Sequence, residues 1–137
     1  MKKIYLVLSM LMLSVGCAKN SDPIPNVAVD FEDSLADPKL SALNSAGGVV
    51  LVPGYGVAGL ILYREPDGSY VCYDRCSSYQ PEKKCAVVLD SGNLTVTDPC
   101  SGSMFSLFDG TPVKAPATVA LKAYYVTVSN YEIFVSN

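Results

Sequence analysis

Five cysteines and no histidine stand in the 137-residue chain, and that combination decides most of the chemistry it can host. Without imidazole there is no Ser-His-Asp or Cys-His nucleophile system, no imidazole metal ligand and no imidazole general base. Setting Cys17 aside leaves Cys72, Cys76, Cys85 and Cys100, spaced x3, x8 and x14. In an exported chain an even set favours two disulfides, with three connectivities open. Read instead as four thiolates on zinc or on an iron-sulfur cluster, the set lacks the tight C-x2-C pairs of structural zinc sites. Carboxylates remain, because two of them about 5 to 9 Å apart can share acid and base work; the pair Asp74 and Asp98 is offered only by the loop resemblance described below, which implies that they lie at the same end of the domain. Asp74, next to Arg75, reads more simply as a loop ion pair or a turn cap.

Where these residues work is set by the start of the chain. Lys2 and Lys3 precede an apolar run over 4–15 that meets Gly16 and Cys17. This is a basic n-region, an apolar h-region and a cleavage site, and a run of about 12 residues falls short of the roughly 20 that a membrane-spanning helix needs. Leu13-Ser14-Val15-Gly16-Cys17 resembles the type II signal of bacterial lipoproteins, which implies removal of residues 1–16 and acylation of Cys17 by palmitate-type chains. Residues 17–26 then form the acylated cysteine and a tether broken by Pro23 and Pro25, since proline cannot continue a helix. Ser21-Asp22 looks like the acidic export signal of Bacteroidetes-type lipoproteins. The implied location is the outer membrane, lipid-anchored, on its periplasmic or cell-surface face. Ten basic against thirteen acidic side chains supply no cationic stripe for phosphates, so nucleic acid is not an expected partner.

The elements that must position the candidates read as strands. Turn residues recur at intervals of roughly 8 to 12 positions, the all-β pattern. Candidate strands cover 27–31, 48–52, 57–63, 69–73, 86–89, 94–97, 123–128 and 131–135. Pro66-Asp67-Gly68, Asp90-Ser91-Gly92-Asn93, Asp109-Gly110 and Ser129-Asn130 separate them with preset or positive φ, and three hairpins follow. A helical turn or two is expected only within 33–46. Residues 27–137 are therefore one domain of packed antiparallel sheets. Strand tyrosines such as Tyr63, Tyr70, Tyr73, Tyr124, Tyr125 and Tyr131 can line an aromatic ligand platform, but half-buried packing is their commoner use.

Two stretches carry a resemblance. Tyr73-Asp74-Arg75-Cys76-Ser77-Ser78-Tyr79 and Asp98-Pro99-Cys100-Ser101-Gly102-Ser103-Met104-Phe105 resemble the two cluster-binding loops of Rieske [2Fe-2S] domains. The flanks Gly59-Leu60-Ile61-Leu62-Tyr63-Arg64, Asp109-Gly110-Thr111-Pro112, Ala115-Pro116-Ala117 and Leu121-Lys122-Ala123-Tyr124 are similar to that family as well. The resemblance implies three stacked antiparallel sheets with the two loops at one end. It also implies a cluster held by Cys-x-His and Cys-x-x-His, with two cysteines on one iron and two histidines on the other. The ligands do not carry over. Alignment on the second loop puts Asp98 at the cysteine and Ser101 at the histidine, and the first loop offers Ser77 and Tyr79, or else Cys76 and Ser78. The first choice loses all four ligands and the second keeps only Cys76. Oxygen donors are poor substitutes for thiolate and imidazole on iron.

Cys100 falls on a second-loop cysteine that, in respiratory members of the family, bridges to the first loop by a disulfide. Its partner here is Cys76 or Cys85. The hairpin of 86–89 with 94–97 brings Cys85 to the same end as Cys100 and favours that pair, leaving Cys72 and Cys76 reduced. The expectation is thus a non-enzymatic lipoprotein with a Rieske-like domain, no cofactor, and a binding or structural role toward an unknown protein or ligand. The alternative is an electron-transfer protein with a [2Fe-2S] cluster on Cys72, Cys76, Cys85 and Cys100.

Overall fold

Leu60–Arg64 reads Leu-Ile-Leu-Tyr-Arg, and its first four residues are all buried. A strand points alternate side chains to opposite faces, so such a run needs a core on each side. The computed structural model, which describes residues 23–137, supplies both. Leu60 and Leu62 pack with Phe31, Leu40, Leu43, Ile133 and Val135, while Ile61 and Tyr63 pack with Val87, Val96, Phe105 and Leu107. Each fully buried Leu, Ile, Val or Phe contributes roughly 1.5–3 kcal/mol through removal from water.

Ten strands build the three layers: β1 (Asp30–Ser34), β2 (Val49–Val52), β3 (Leu60–Arg64), β4 (Tyr70–Asp74), β5 (Val88–Leu89), β6 (Thr95–Thr97), β7 (Met104–Ser106), β8 (Pro112–Lys114), β9 (Ala123–Ser129) and β10 (Glu132–Ser136). The middle layer is β2-β3-β4, one outer layer is β1-β10-β9, and the other is the small sheet β5-β6-β7-β8. All pairings are antiparallel. Ala123 pairs with Tyr73 and Tyr124 with Cys72, whereas Tyr125 to Ser129 pair with β10. Strand β9 thereby passes from one sheet to the next and joins the first two into one six-stranded arrangement.

The all-β architecture and the three expected hairpins are present. The differences in detail have local causes. The expected strand over 27–31 begins instead at Asp30, because Val27 and Val29 bond the Asn137 side chain. The expected strand over 57–63 starts only at Leu60, because the amides of Val57 and Ala58 turn to the Asp74 carboxylate. β7 and β8 were not anticipated: each has only three residues, too few to show alternation, and β8 opens on a proline that an edge strand tolerates. The turn within 33–46 is a 3-10 helix over Pro38–Asn44, capped by the Asp37 side chain on Lys39 N. Ile24 is 1% exposed and Asn26 bonds Asn137, so the packed body reaches back past Val27 into the segment read as tether. Cys17 and the signal segment lie outside the described residues. Among the described residues no helix is long and apolar enough to cross a membrane.

Candidate functional site

Two loops meet at one end of the small sheet. The first follows β4 and the second joins β6 to β7. Each opens on the same four-residue pattern, Asp74-Arg75-Cys76-Ser77 and Asp98-Pro99-Cys100-Ser101, and each aspartate accepts the amide of the cysteine two residues on, at 2.8 Å in both cases. This is the Asx-turn use of a carboxylate. The repeated D-x-C-S is visible in the sequence, although it was not singled out there.

Asp74 is wholly buried. Besides the Cys76 amide it accepts Val57 N at 2.7 Å, Ala58 N at 3.1 Å and the Tyr124 hydroxyl at 2.7 Å. A Cβ on Gly56, whose φ is +61°, would fall 2.3 Å from Asp74 Oδ2, so the close approach of the 56–58 turn requires glycine. With four donors on its two oxygens Asp74 has a bracing role, consistent with the turn cap that its neighbourhood suggested.

Asp98 holds the second loop. Its backbone N donates to Ser103 O and its carbonyl accepts Gly102 N, both at 2.8 Å. The Ser101 hydroxyl donates to Asp98 Oδ2 at 2.6 Å, and the Ser77 hydroxyl from the first loop reaches the same carboxylate. Burial pushes this carboxyl upward, but the hydroxyls of Ser101 and Ser77 and the amides of Cys100 and Ser101 outweigh it, and the group sits below the usual carboxylate range. Ser103 Oγ lies 2.9 Å from Ser101 Oγ and accepts Ala117 N at 2.9 Å. Ser103, wholly buried, was not singled out by sequence reasoning, and Tyr124 was read there only as a strand tyrosine and not as a partner of Asp74.

The structure therefore brings together Ser77, Asp98 and Ser101, three of the four positions that resemble cluster ligands. The fourth, Tyr79, donates its amide to Ser77 Oγ at 3.2 Å and packs its ring against the core of the small sheet. Ser77 and Asp98 thus meet across the two loops. In the other alignment Ser78 instead bonds Val119 O, and Cys76 Sγ approaches Ser77 O at 3.6 Å and Pro81 O at 3.7 Å.

Cys85 and Cys100 form a disulfide across the loop tips, with their Cα atoms 6.3 Å apart. The first loop is pinned by the Cys76–Ala86 bridge and by Ser77 N to Cys85 O at 2.8 Å. Cys72 and Cys76 are buried outside that bond. Cys72 sits in the core between the middle and β1-β10-β9 layers, where burial and then the Asp74 charge push its thiol far upward. Of the strand tyrosines, Tyr63, Tyr73 and Tyr124 are buried and Tyr70 half-buried, while Tyr125 and Tyr131 are exposed.

No family model and no curated protein sequence matches the chain. Solved structures do. The plasma-membrane Rieske protein of the cyanobacterium Synechocystis aligns over 82% of this chain and all of its own, with 21% identity and a TM-score of 0.55. The ferredoxin of carbazole 1,9a-dioxygenase from Nocardioides aromaticivorans aligns over 80% of this chain and 97% of its own, with 19% identity and a TM-score of 0.50. The fold is Rieske-like. A [2Fe-2S] cluster of that fold requires thiolates and imidazoles, and a Rieske-like chain without histidine lacks half of the donor types. Asp98 and Ser101, at positions that resemble ligand positions, offer hard oxygen donors that are already hydrogen-bonded to each other and, for Asp98, to the Cys100 amide. The residues present do not fit the cluster.

Proposed function

We propose that this protein is a lipid-anchored lipoprotein of the bacterial cell envelope whose Rieske-like domain has lost the iron-sulfur cluster and serves as a binding or structural module. The observation that supports the reading is the hydrogen-bonded group Ser77, Asp98 and Ser101 at three of the four positions where the family resemblance calls for ligands. The disulfide and the four-donor Asp74 tie the loops together through the chain's own bonds, which supports a scaffold able to outlast the group. Cys17 as the lipidated residue, the outer membrane as its location and the absence of catalysis belong to the same reading. A cluster on Cys72, Cys76, Cys85 and Cys100 would require opening the disulfide and drawing Cys72 out of the core.

Intact-mass spectrometry of the membrane-extracted protein, with and without reductant, tests this together with an absorption spectrum. The expected result is an acylated chain beginning at Cys17, a gain of two mass units for one bridge on reduction, and no visible chromophore. An unprocessed N-terminus would refute the anchor, and four cysteines bound to iron would refute loss of the cluster.

A further inference from the structure

Cys85 Sγ, Cys100 Sγ and a carboxylate oxygen of Asp98 all lie within 4.8 Å of one another. Among the described residues this is the one grouping of three metal-ligating side chains drawn from His, Cys, Asp and Glu. Oxidised, the two sulfurs spend their bonding capacity on each other. We infer that reduction of this disulfide turns the loop tips into a site for one divalent transition-metal ion, held by Cys85, Cys100 and Asp98.

The ligands are also held by contacts other than the bond that is broken. Cys85 is held by its carbonyl to Ser77 N and by the neighbouring Cys76–Ala86 bridge. Asp98 and Cys100 are locked together through the Cys100 amide on Oδ1, and Asp98 is fixed to Ser103 through its backbone. Thiolates on a tetrahedral zinc at about 2.3 Å sit about 3.8 Å apart, so the sulfurs need only relax from bonding distance on loops whose Cα atoms are 6.3 Å apart. Reduction would leave two thiols beside a carboxylate. A divalent cation neutralises the thiolates and the carboxylate in large part, and two sulfurs with one oxygen suit a borderline-soft ion such as zinc. Cys100 is exposed, which opens the fourth position to water.

The electron balance is simple. A dithiol donates two electrons and two protons, the disulfide becomes two thiols, and the donor becomes a disulfide. Metal binding then expels both protons. The oxidised protein offers no thiolate here, so metal uptake follows the redox state. The site shares Asp98 with the vestigial cluster loops but uses two cysteines that are not at the cluster-ligand positions of the favoured alignment.

The test uses the full chain carrying Cys17→Ser, reduced with dithiothreitol, desalted anaerobically and titrated with cobalt(II). The reduced chain is expected to take one equivalent with a thiolate-to-cobalt absorption band, and the oxidised chain none. Asp98→Asn, which keeps an oxygen for the Cys100 amide, is expected to weaken binding at least ~10-fold. Cys85→Ser with Cys100→Ser is expected to abolish the band, with circular dichroism confirming the fold. Absence of a band after reduction, unchanged affinity in Asp98→Asn, or a band surviving the double serine variant would each overturn the inference. The measurement is independent of the anchor and of the iron content of the protein as isolated.

Discussion

Asp74 accepts hydrogen bonds from four residues of three segments, and its loss is the sharpest perturbation of the scaffold under the loops. Two of its donors, the Cys76 amide and the Tyr124 hydroxyl, are buried. Orphaning a buried donor costs about 1–3 kcal/mol. The amides of Val57 and Ala58 are part-buried and can turn toward water at about 0.5–1 kcal/mol each. Asp74→Ala is therefore expected to cost about 3–6 kcal/mol once relief of the buried charge is allowed for, against a total of about 5–15 kcal/mol for a domain. Tyr124→Phe removes one bond to an ionised acceptor, about 1.5–3 kcal/mol. Urea unfolding of Asp74→Asn, Tyr124→Phe and the double variant closes a cycle in which the pair should couple by about 1–3 kcal/mol, with unchanged m-values. Additivity within about 0.3 kcal/mol would refute the bracing role.

Three further outcomes follow from the same geometry. Replacing both Cys85 and Cys100 by serine opens a loop with a sequence separation of 15 and should cost about 3 kcal/mol in the chain-entropy model, read from the urea midpoint under chelator. The folded-state Asp98 carboxyl lies below its ordinary value, so it contributes stability above the unfolded-state pKa and loses it as pH falls through the folded value. The stability gap between the wild-type chain and Asp98→Asn should accordingly hold at neutral pH and shrink below about pH 4, as followed by urea titrations across that range. Because Cys72 is buried and its thiol pushed upward, a thiol reagent at pH 8 should label it only at the rate of unfolding; rapid labelling of the native protein would contradict its place in the core.

Much of the architecture was legible because its signals are local. The Asp90-to-Asn93 and Ser129-Asn130 turns announced their hairpins, and the fully apolar start of Leu60–Arg64 reflects burial on two faces. What was not legible depends on distant partners. Val57 and Ala58 have strand-like composition but spend their amides on a carboxylate 17 and 16 residues away. Ser103 looks like an ordinary loop serine until Ala117, 14 residues on, is brought to it. The pairing of Cys85 with Cys100 rested on a hairpin and a family likeness, whereas the meeting of Ser77 with Asp98 needed both loops folded.

The proposed loss of the cluster places oxygen donors where its ligands would stand and leaves the domain to work without it. Iron and acid-labile sulfide analysis of the protein, purified anoxically from iron-replete cells with its visible spectrum recorded, addresses this directly. Iron and sulfide are expected at background, in a colourless sample. Two irons and two sulfides per chain with visible absorption would contradict the proposed loss.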